Sequence, residues 1–128
     1  MINIVGNEDI LSNKPVNAKE LWGVTSLARA NPECDFNKDV KEIYDSILST
    51  IMSRAMRGYG DYNLNEDNNP WCGHPSQTEA LRKVADIFAE KHVLNVSWYW
   101  DKDNNYTCKA IHFDWENEGK GSLRIYTI

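Results

Sequence analysis

A cysteine and a histidine stand two residues apart in the stretch 59–76, YGDYNLNEDNNPWCGHPS. Cys72 and His74 are residue types that ligate zinc and that take part in nucleophilic catalysis. Structural zinc sites usually take four ligands in two close pairs, and this chain offers one pair at an unusual spacing. Zinc is therefore not predicted, and Cys72 is expected to be a small buried side chain beneath this stretch.

The same stretch begins like a calcium-binding loop. Asp61, Asn63 and Asn65 occupy the first, third and fifth positions of an EF-hand pattern. The sixth position should be glycine and is Glu66, and the twelfth should be a bidentate glutamate and is Cys72. The residue for the sharp turn and the strongest ligand are both missing. The sequence therefore predicts no metal and no cofactor.

A catalytic interpretation stays open as the alternative. A cysteine nucleophile would recruit a histidine from elsewhere in the fold, and His112 could serve Cys72 in that way. His74 and His112 together with Asp114 would also suit acid–base hydrolysis. The chain has no glycine-rich phosphate loop and no nucleophile elbow. The alternative is thus a small hydrolase or nuclease-like enzyme that uses His74, Cys72 or His112, and no catalytic residue is assigned.

A binding role fits more of the stretch. Tyr59, Tyr62 and Trp71 are of the residue types that dominate interface hot spots. Carboxylates and amides lie between them and suit arginine or lysine on a partner. A loop of this length in a compact domain is usually functional. The predicted binding surface joins this loop to the polar side of a hairpin and comprises Tyr59, Asp61, Tyr62, Glu66, Asp67, Trp71, His74, Tyr99, His112 and Asp114.

Three segments have the periodicity of helices. The first follows Asn17, a good N-cap with Glu20 three residues on. Its apolar face comprises Leu21, Val24, Leu27 and Ala28. The second and strongest runs over 36–57. The third opens at Ser76, where a capping box with Glu79 is expected.

The C-terminal part has the alternation of β-strands. VLNVSWYW and YTCKAIHFDW flank the turn-rich DKDNN, and SLRIYTI follows a second turn. The predicted fold class is α+β, with about three helices followed by a three-stranded antiparallel β-meander over 93–128, in a single domain, 1–128. INIV, at 2–5, is a further strand candidate that could join an edge of the sheet.

The alternation in the hairpin divides its side chains between two faces. The apolar face comprises Leu94, Val96, Trp98, Trp100, Ile111, Phe113 and Trp115. The polar face comprises Asn95, Ser97, Tyr99, Cys108, His112 and Asp114. The apolar face is expected to build the core, and the polar face to contribute to binding.

The net charge and the cysteine count indicate which compartment and which class of partner to expect. The 128 residues carry a net charge of −5, with a pI near 5.1, and the basic residues are scattered. Direct binding of nucleic acid is disfavoured, because phosphate contacts need a basic patch, whereas a protein partner with a basic surface is favoured. No stretch approaches the roughly 20 apolar residues of a membrane span. Three cysteines, an odd and sparse set, indicate reduced thiols, so we expect a cytoplasmic protein.

In general type the chain resembles two populations of small proteins: the accessory proteins of tailed bacteriophages and the bacterial immunity proteins. The resemblance rests on size, mild acidity, frequent asparagine and a helical half followed by an aromatic β-region. It implies a non-enzymatic protein-binding module that inhibits or modulates a host, defence or toxin protein stoichiometrically, in the host cytoplasm if a phage encodes it. It carries no individual site residue over to this chain.

Overall fold

The computed structural model describes residues 17–116 and 120–128. The described elements are α1 (Ala18–Arg29), α2 (Asp35–Met56), β1 (Asp61–Asn65), α3 (Thr78–Glu90), β2 (Asn95–Asp101), β3 (Thr107–Asp114) and β4 (Leu123–Thr127). This confirms an α+β fold with three α-helices in the described ranges. The chain forms two compact units, Met1–Asn37 and Lys38–Ile128, and the single domain stays a prediction. The strand expected at 2–5 lies outside the described residues.

α1 begins at the predicted N-cap. The Asn17 side-chain oxygen accepts a hydrogen bond from the Glu20 backbone N–H at 2.9 Å, which satisfies one of the free donors of the first turn. The apolar face predicted for α1 is not buried among the described residues. α1 has no buried residue, and Leu27 is 78 % exposed.

α2 and α3 supply the helical side of the core. α2 buries one narrow face, comprising Ile43, Ile47 and Ile51. α3 buries a wider face, comprising Ala80, Leu81, Val84, Ala85, Phe88 and Ala89. The Phe88 ring lies 5.3 Å from the Tyr44 ring of α2 and 5.3 Å from the Phe113 ring of β3. Phe88 therefore joins both helices to the sheet.

α3 begins later than predicted, and the Ser76 capping box is wrong. Its N-cap is Gln77, whose side chain makes no capping hydrogen bond, and a short 3₁₀ helix, Pro75–Gln77, precedes it. The fixed φ of Pro75 suits the first position of a helical turn, so the tighter turn starts there. The Thr78 hydroxyl donates to the His74 carbonyl at 3.0 Å.

The four strands form one mixed sheet in the order β1-β3-β2-β4. β3 pairs antiparallel with β1 and β2, whereas β4 pairs parallel with β2. The hairpin of β2 and β3 is as predicted, but the three-stranded antiparallel meander is wrong. β1 occupies the second edge of β3, so β4 pairs with the free edge of β2. β4 starts at the end of the sheet where β3 finishes, and it therefore runs in the direction of β2.

β1 lies inside the stretch that was predicted to be a loop. Tyr62 and Leu64 are buried, and the residues beside them are not, which is the alternation of a half-buried strand. α3 connects β1 to β2, and β3 inserts between these two parallel strands. A parallel pair needs a long crossover, which α3 supplies.

The hairpin register matches the predicted apolar face over most of its length. Val96 lies opposite Phe113, and Trp98 lies opposite Ile111. All four side chains are buried. The prediction that these residues build one core face is confirmed.

A β-bulge changes the face of one predicted residue. The register shifts between Tyr99 and Trp100, so that Trp100 pairs with Cys108 and Lys109 is left out of the pairing. An extra residue in one strand reverses the facing of what lies beyond it. Cys108 is therefore fully buried on the core side, and its predicted place on the polar face is wrong.

Candidate functional site

The strands share a polar face on the side of the sheet away from the core, which we call the outer face. His112 lies opposite Asn63 of β1 and opposite Ser97 of β2, and Ser97 in turn lies opposite Arg124 of β4. None of these side chains is fully buried. The outer face comprises Asp61, Asn63, Asn65, Asn95, Ser97, Tyr99, Ala110, His112, Asp114, Arg124 and Tyr126.

Asp61 and His112 form a hydrogen-bonded pair on the outer face. His112 Nε2 lies 2.9 Å from Asp61 Oδ2, and Nε2 is the donor, because a carboxylate only accepts. Arg54 of α2 reaches the same residue, with a guanidinium nitrogen 3.5 Å from Asp61 Oδ1 and its Nε donating to the Asp61 carbonyl at 2.6 Å. The hydrogen bond from His112, more than the charge of Arg54, holds the pKa of Asp61 below its ordinary value.

Replacing Asp61 by asparagine is expected to lower the free energy of unfolding near neutral pH and to leave it unchanged in acid. The folded pKa of Asp61 lies below the ordinary 3.8, so its contribution is present above that value and is lost as the pH falls through the folded pKa. The side chain is half exposed, so the effect should stay below about 1 kcal/mol. Denaturant titrations at about pH 7 and about pH 2 measure it.

Asp67→Asn is the matched control, because Asp67 is exposed and lies outside this pair. The two variants should differ near neutral pH. Equal losses for both variants, or a loss for Asp61→Asn that persists in acid, would contradict the role of the Asp61–His112 pair.

A cavity of about 500 Å³ opens on the outer face. Its charged lining comes from two sides: His112 and Asp114 belong to β3, whereas Lys120 and Arg124 belong to β4 and the segment before it. Within the described ranges the ammonium group of Lys120 and the guanidinium group of Arg124 have no hydrogen-bond or ion-pair partner. The cavity can therefore receive an anionic group beside these two cations and a cationic group beside Asp114.

Asn95 holds the segment that completes this cavity. Its side-chain oxygen accepts hydrogen bonds from the Lys120 backbone N–H at 3.0 Å and from the Ser122 hydroxyl at 3.1 Å. Asn95 is the first residue of β2, so these bonds tie 120–122 to the start of that strand. These bonds place Lys120 among the residues that line the cavity.

Two stacked tyrosines lie in the next row of the outer face. Tyr99 of β2 is opposite Tyr126 of β4, and their ring centroids are 5.1 Å apart at an interplanar angle of 17°. Tyr126 is 41 % exposed. A partly exposed aromatic pair beside unpaired charges has the composition of an interface hot spot.

Asparagine side chains, bonded to the backbone, hold the turn after β1. Asn65 Oδ1 accepts from the Asp67 N–H at 2.9 Å, and Asn68 Oδ1 accepts from the Asn65 N–H at 2.9 Å. Asn69 Oδ1 accepts from the Trp71 N–H at 2.9 Å. The bonds accepted by Asn65 and Asn69 close Asx-turns, so the Asn65 oxygen of the calcium pattern is bonded to the backbone. In the described ranges no group of three or more His, Cys, Asp and Glu side chains could hold a metal ion.

Three predicted binding residues are exposed along the β1 edge. Tyr59 is 47 % exposed, and the guanidinium carbon of Arg54 lies 4.3 Å from the centre of its ring. Glu66 and Asp67 line a second cavity, of about 260 Å³, together with Lys109. These residues extend the candidate surface from the outer face to the turn after β1.

Two other predicted aromatic anchors have different surroundings. Tyr62 is buried, and its ring stacks on Phe113 at 6.0 Å. The alternation of β1 turns it to the core, so its assignment to a binding surface is wrong. Trp71 is half-buried, and its role as an anchor stays a prediction.

Cys72 and His74 do not join His112. Cys72 is buried, as predicted, and the Asn104 side chain donates to the Gly73 carbonyl at 3.3 Å, so this segment lies at the β2–β3 turn. The Cys72 thiol lies 3.2 Å from the Cys108 carbonyl oxygen, and His112 is four residues beyond Cys108 along β3, about 13 Å at the usual rise of a strand. The predicted catalytic pairings of Cys72 or His74 with His112 are therefore wrong, whereas the binding role of His74, which is exposed, stays a prediction.

Three charged residues of the site were missed in the sequence. Arg54, Lys120 and Arg124 look like scattered surface charges. Arg54 reaches Asp61, seven residues on, across the connection between α2 and β1. Lys120 and Arg124 reach the site because β4 pairs with β2, which is distant in sequence. The alternation of Arg124 and Tyr126 with apolar neighbours was the available signal. It identifies one face of β4 without saying which strand β4 joins.

No family model, curated protein or solved structure matches this chain. Fold and site together define an α+β unit whose mixed sheet is packed on one face and polar on the other. None of the described helices combines the length and the apolar character needed to cross a membrane.

Proposed function

We propose that this chain is a non-enzymatic protein-binding module that inhibits or modulates its partner in a stoichiometric complex. The observation that carries the proposal is the outer face, where the stacked Tyr99 and Tyr126 lie one row from Arg124, and Arg124 lines a cavity together with Asp114 and Lys120. Aromatic residues and arginine are enriched in protein interfaces. A polar sheet face with this composition suits recognition of another protein surface.

The interface centres on the two tyrosines and the cavity beside them. His112 and Asp114 bound the cavity on one side, and Arg124 bounds it on the other. Asp61 orients His112 and does not itself contact the partner, because its carboxylate is already bonded to His112 and paired with Arg54. The exposed residues of the β1 edge described above extend the interface.

The partner presents a mainly basic surface. The net charge of −5 attracts a basic protein at long range. At contact, the carboxylates of Asp114, Glu66 and Asp67 can bind arginines or lysines of the partner. An acidic group of the partner meets Lys120 and Arg124. Nucleic acid is not the proposed partner, because among the described residues that line the cavity only Lys120 and Arg124 are lysine or arginine, and the carboxylate of Asp114 lies in the same lining.

The resemblance in type to phage accessory proteins and bacterial immunity proteins agrees with this proposal. Many phage accessory proteins bind and inhibit one host or defence protein, and immunity proteins neutralise a cognate toxin. A nuclease or another nucleic-acid-handling protein has the basic surface that this charge distribution suits. The cytoplasm is the proposed compartment.

Capture of the partner from the native host, with identification by mass spectrometry, tests the proposal. The purified pair should saturate at a one-to-one ratio, and the association rate should fall as salt rises, because added ions screen the attraction between opposite charges. Calorimetric titration and stopped-flow mixing measure these two quantities. Complete inhibition at a small fraction of one equivalent, or a rate independent of salt, would contradict it.

A small hydrolase is the second candidate, and the Asp61–His112 pair favours it. A carboxylate that accepts from one ring nitrogen of histidine orients the ring for acid–base work, and His112 lines the larger cavity. Lys120 and Arg124 would bind an anionic substrate. Turnover that disappears in His112→Ala, at an unchanged melting temperature, would favour this candidate over the binding module.

A further inference from the structure

Two cysteines distant in sequence meet beneath the turn after β1. Cys72 and Cys108 are both free and both buried. The Cys72 thiol lies 3.2 Å from the Cys108 carbonyl oxygen and 3.3 Å from the Lys109 carbonyl oxygen. The Cys108 thiol lies 3.6 Å from the Ala110 carbonyl oxygen. Cys34, the third cysteine, belongs to the other compact unit.

The β-bulge explains why these thiols meet. It leaves Lys109 out of the strand pairing and turns Cys108 to the core side. The carbonyls of Cys108 and Lys109 then receive the S–H of Cys72 as a donor. The chain approaches the bulge closely here, with Gly73 at φ +85°, a conformation that suits glycine. Cys72 is thus held against β3 by both its backbone turn and its thiol.

We propose that Cys72 and Cys108 are a redox modification site, which hydrogen peroxide converts into an intramolecular disulfide. The Cys72 thiolate attacks one peroxide oxygen, the O–O bond breaks, and hydroxide leaves, which takes up the thiol proton as water. Cys72 becomes a sulfenic acid. The Cys108 sulfur then attacks the Cys72 sulfur, the S–O bond breaks, and a second water leaves. Two thiols are oxidised, and one peroxide is reduced to two waters.

The surroundings assign the two roles. The neighbouring Cys108 side chain holds the pKa of Cys72 below its usual value, which favours the thiolate that attacks. The Cys72 side chain, together with burial, raises the pKa of Cys108, so Cys108 keeps its proton until the second step. Cys72 is also the less deeply buried of the two, at 4 % against 0 % exposure. A small oxidant therefore reaches Cys72 first.

The disulfide would fix the turn after β1 to the middle of the sheet. Lys109, the bulged residue beside Cys108, lines the 260 Å³ cavity with Glu66 and Asp67. The bond would therefore restrain one edge of the candidate surface. The inference does not depend on the proposed function, because it rests on the two thiols and the bulge alone.

Treatment of the folded protein with hydrogen peroxide, followed by alkylation, trypsin and mass spectrometry, tests the proposal. Cleavage after lysine and arginine places Cys72 in peptide 58–82, Cys108 in peptide 103–109 and Cys34 in peptide 30–38. Peptides 58–82 and 103–109 should appear joined, with the loss of two hydrogen atoms, and should separate after dithiothreitol. The melting temperature should rise by several degrees, because the link constrains the unfolded chain.

Two variants keep the outcome decisive. Cys34→Ser should still form the joined peptides. Cys108→Ser should accumulate a sulfenic acid at Cys72 that dimedone traps, because the resolving thiol is gone. A disulfide that involves Cys34, a link only between molecules, or a Cys72 that stays fully alkylatable while Cys34 is oxidised would overturn the proposal.

Discussion

Replacing Phe88 by alanine is expected to lower the free energy of unfolding by about 3–5 kcal/mol, the usual cost of deleting a buried aromatic ring. Phe88 is 1 % exposed and makes ring contacts with Tyr44 of α2 and Phe113 of β3, as well as with His92 at 5.1 Å. The substitution would remove the contacts of this ring with α2 and with the sheet and would leave a cavity between them. Urea denaturation measures the loss.

Met56→Ala is the control for this change. Met56 is the last residue of α2 and is 82 % exposed, so its truncation should change the free energy of unfolding by less than about 0.5 kcal/mol. A loss at Phe88 no larger than the loss at Met56 would show that the described core is wrong.

Reversing the charge of Arg124 is expected to weaken the complex with the partner at least about tenfold, which corresponds to 1.4 kcal/mol. Arg124 lines the larger cavity and is exposed. A glutamate there would face the acidic group that we infer on the partner, and like charges in contact cost several kcal/mol. Because Arg124 is exposed, the substitution should not destabilise the fold, and the melting temperature should stay unchanged. Calorimetric titration of Arg124→Glu measures the change.

The helices could be predicted because their signals are local. The apolar residues of α2 and α3 recur at helical spacing within a single turn or two. The start of α3 could not be predicted from Ser76 and Glu79, because Pro75 begins a 3₁₀ turn first. Local competition between two good start signals decided that boundary.

The sheet was only partly predictable, because strand pairing depends on distant residues. β1 has only two buried side chains, Tyr62 and Leu64, among polar neighbours, so its alternation is easily missed in an asparagine-rich stretch. Because β1 pairs with one edge of β3 and β2 with the other, β4 pairs with the free edge of β2. One unrecognised short strand therefore overturned the predicted meander. The bulge at Lys109 similarly reversed the predicted face of Cys108, since counting by twos assumes an unbroken strand.

Most residues of the candidate site could be predicted from the sequence, but the contacts between them could not. The alternation in the hairpin places Ser97, Tyr99, His112 and Asp114 on one polar face, as the structure has them. Asp61 was also predicted to bind, but its 2.9 Å contact with His112 requires the pairing of β1 with β3. The cations of the cavity depend on the place of β4 in the same way.

The affinity of Arg124→Glu beside that of Lys83→Glu tests the outer face as the binding surface most directly. Lys83 is an exposed residue of α3, the helix on the opposite side of the sheet, and both variants change the net charge by the same amount. We predict that Arg124→Glu binds the partner at least about tenfold more weakly, whereas Lys83→Glu stays within about twofold. Equal weakening by both variants, at unchanged melting temperatures, would contradict the assignment of binding to the outer face.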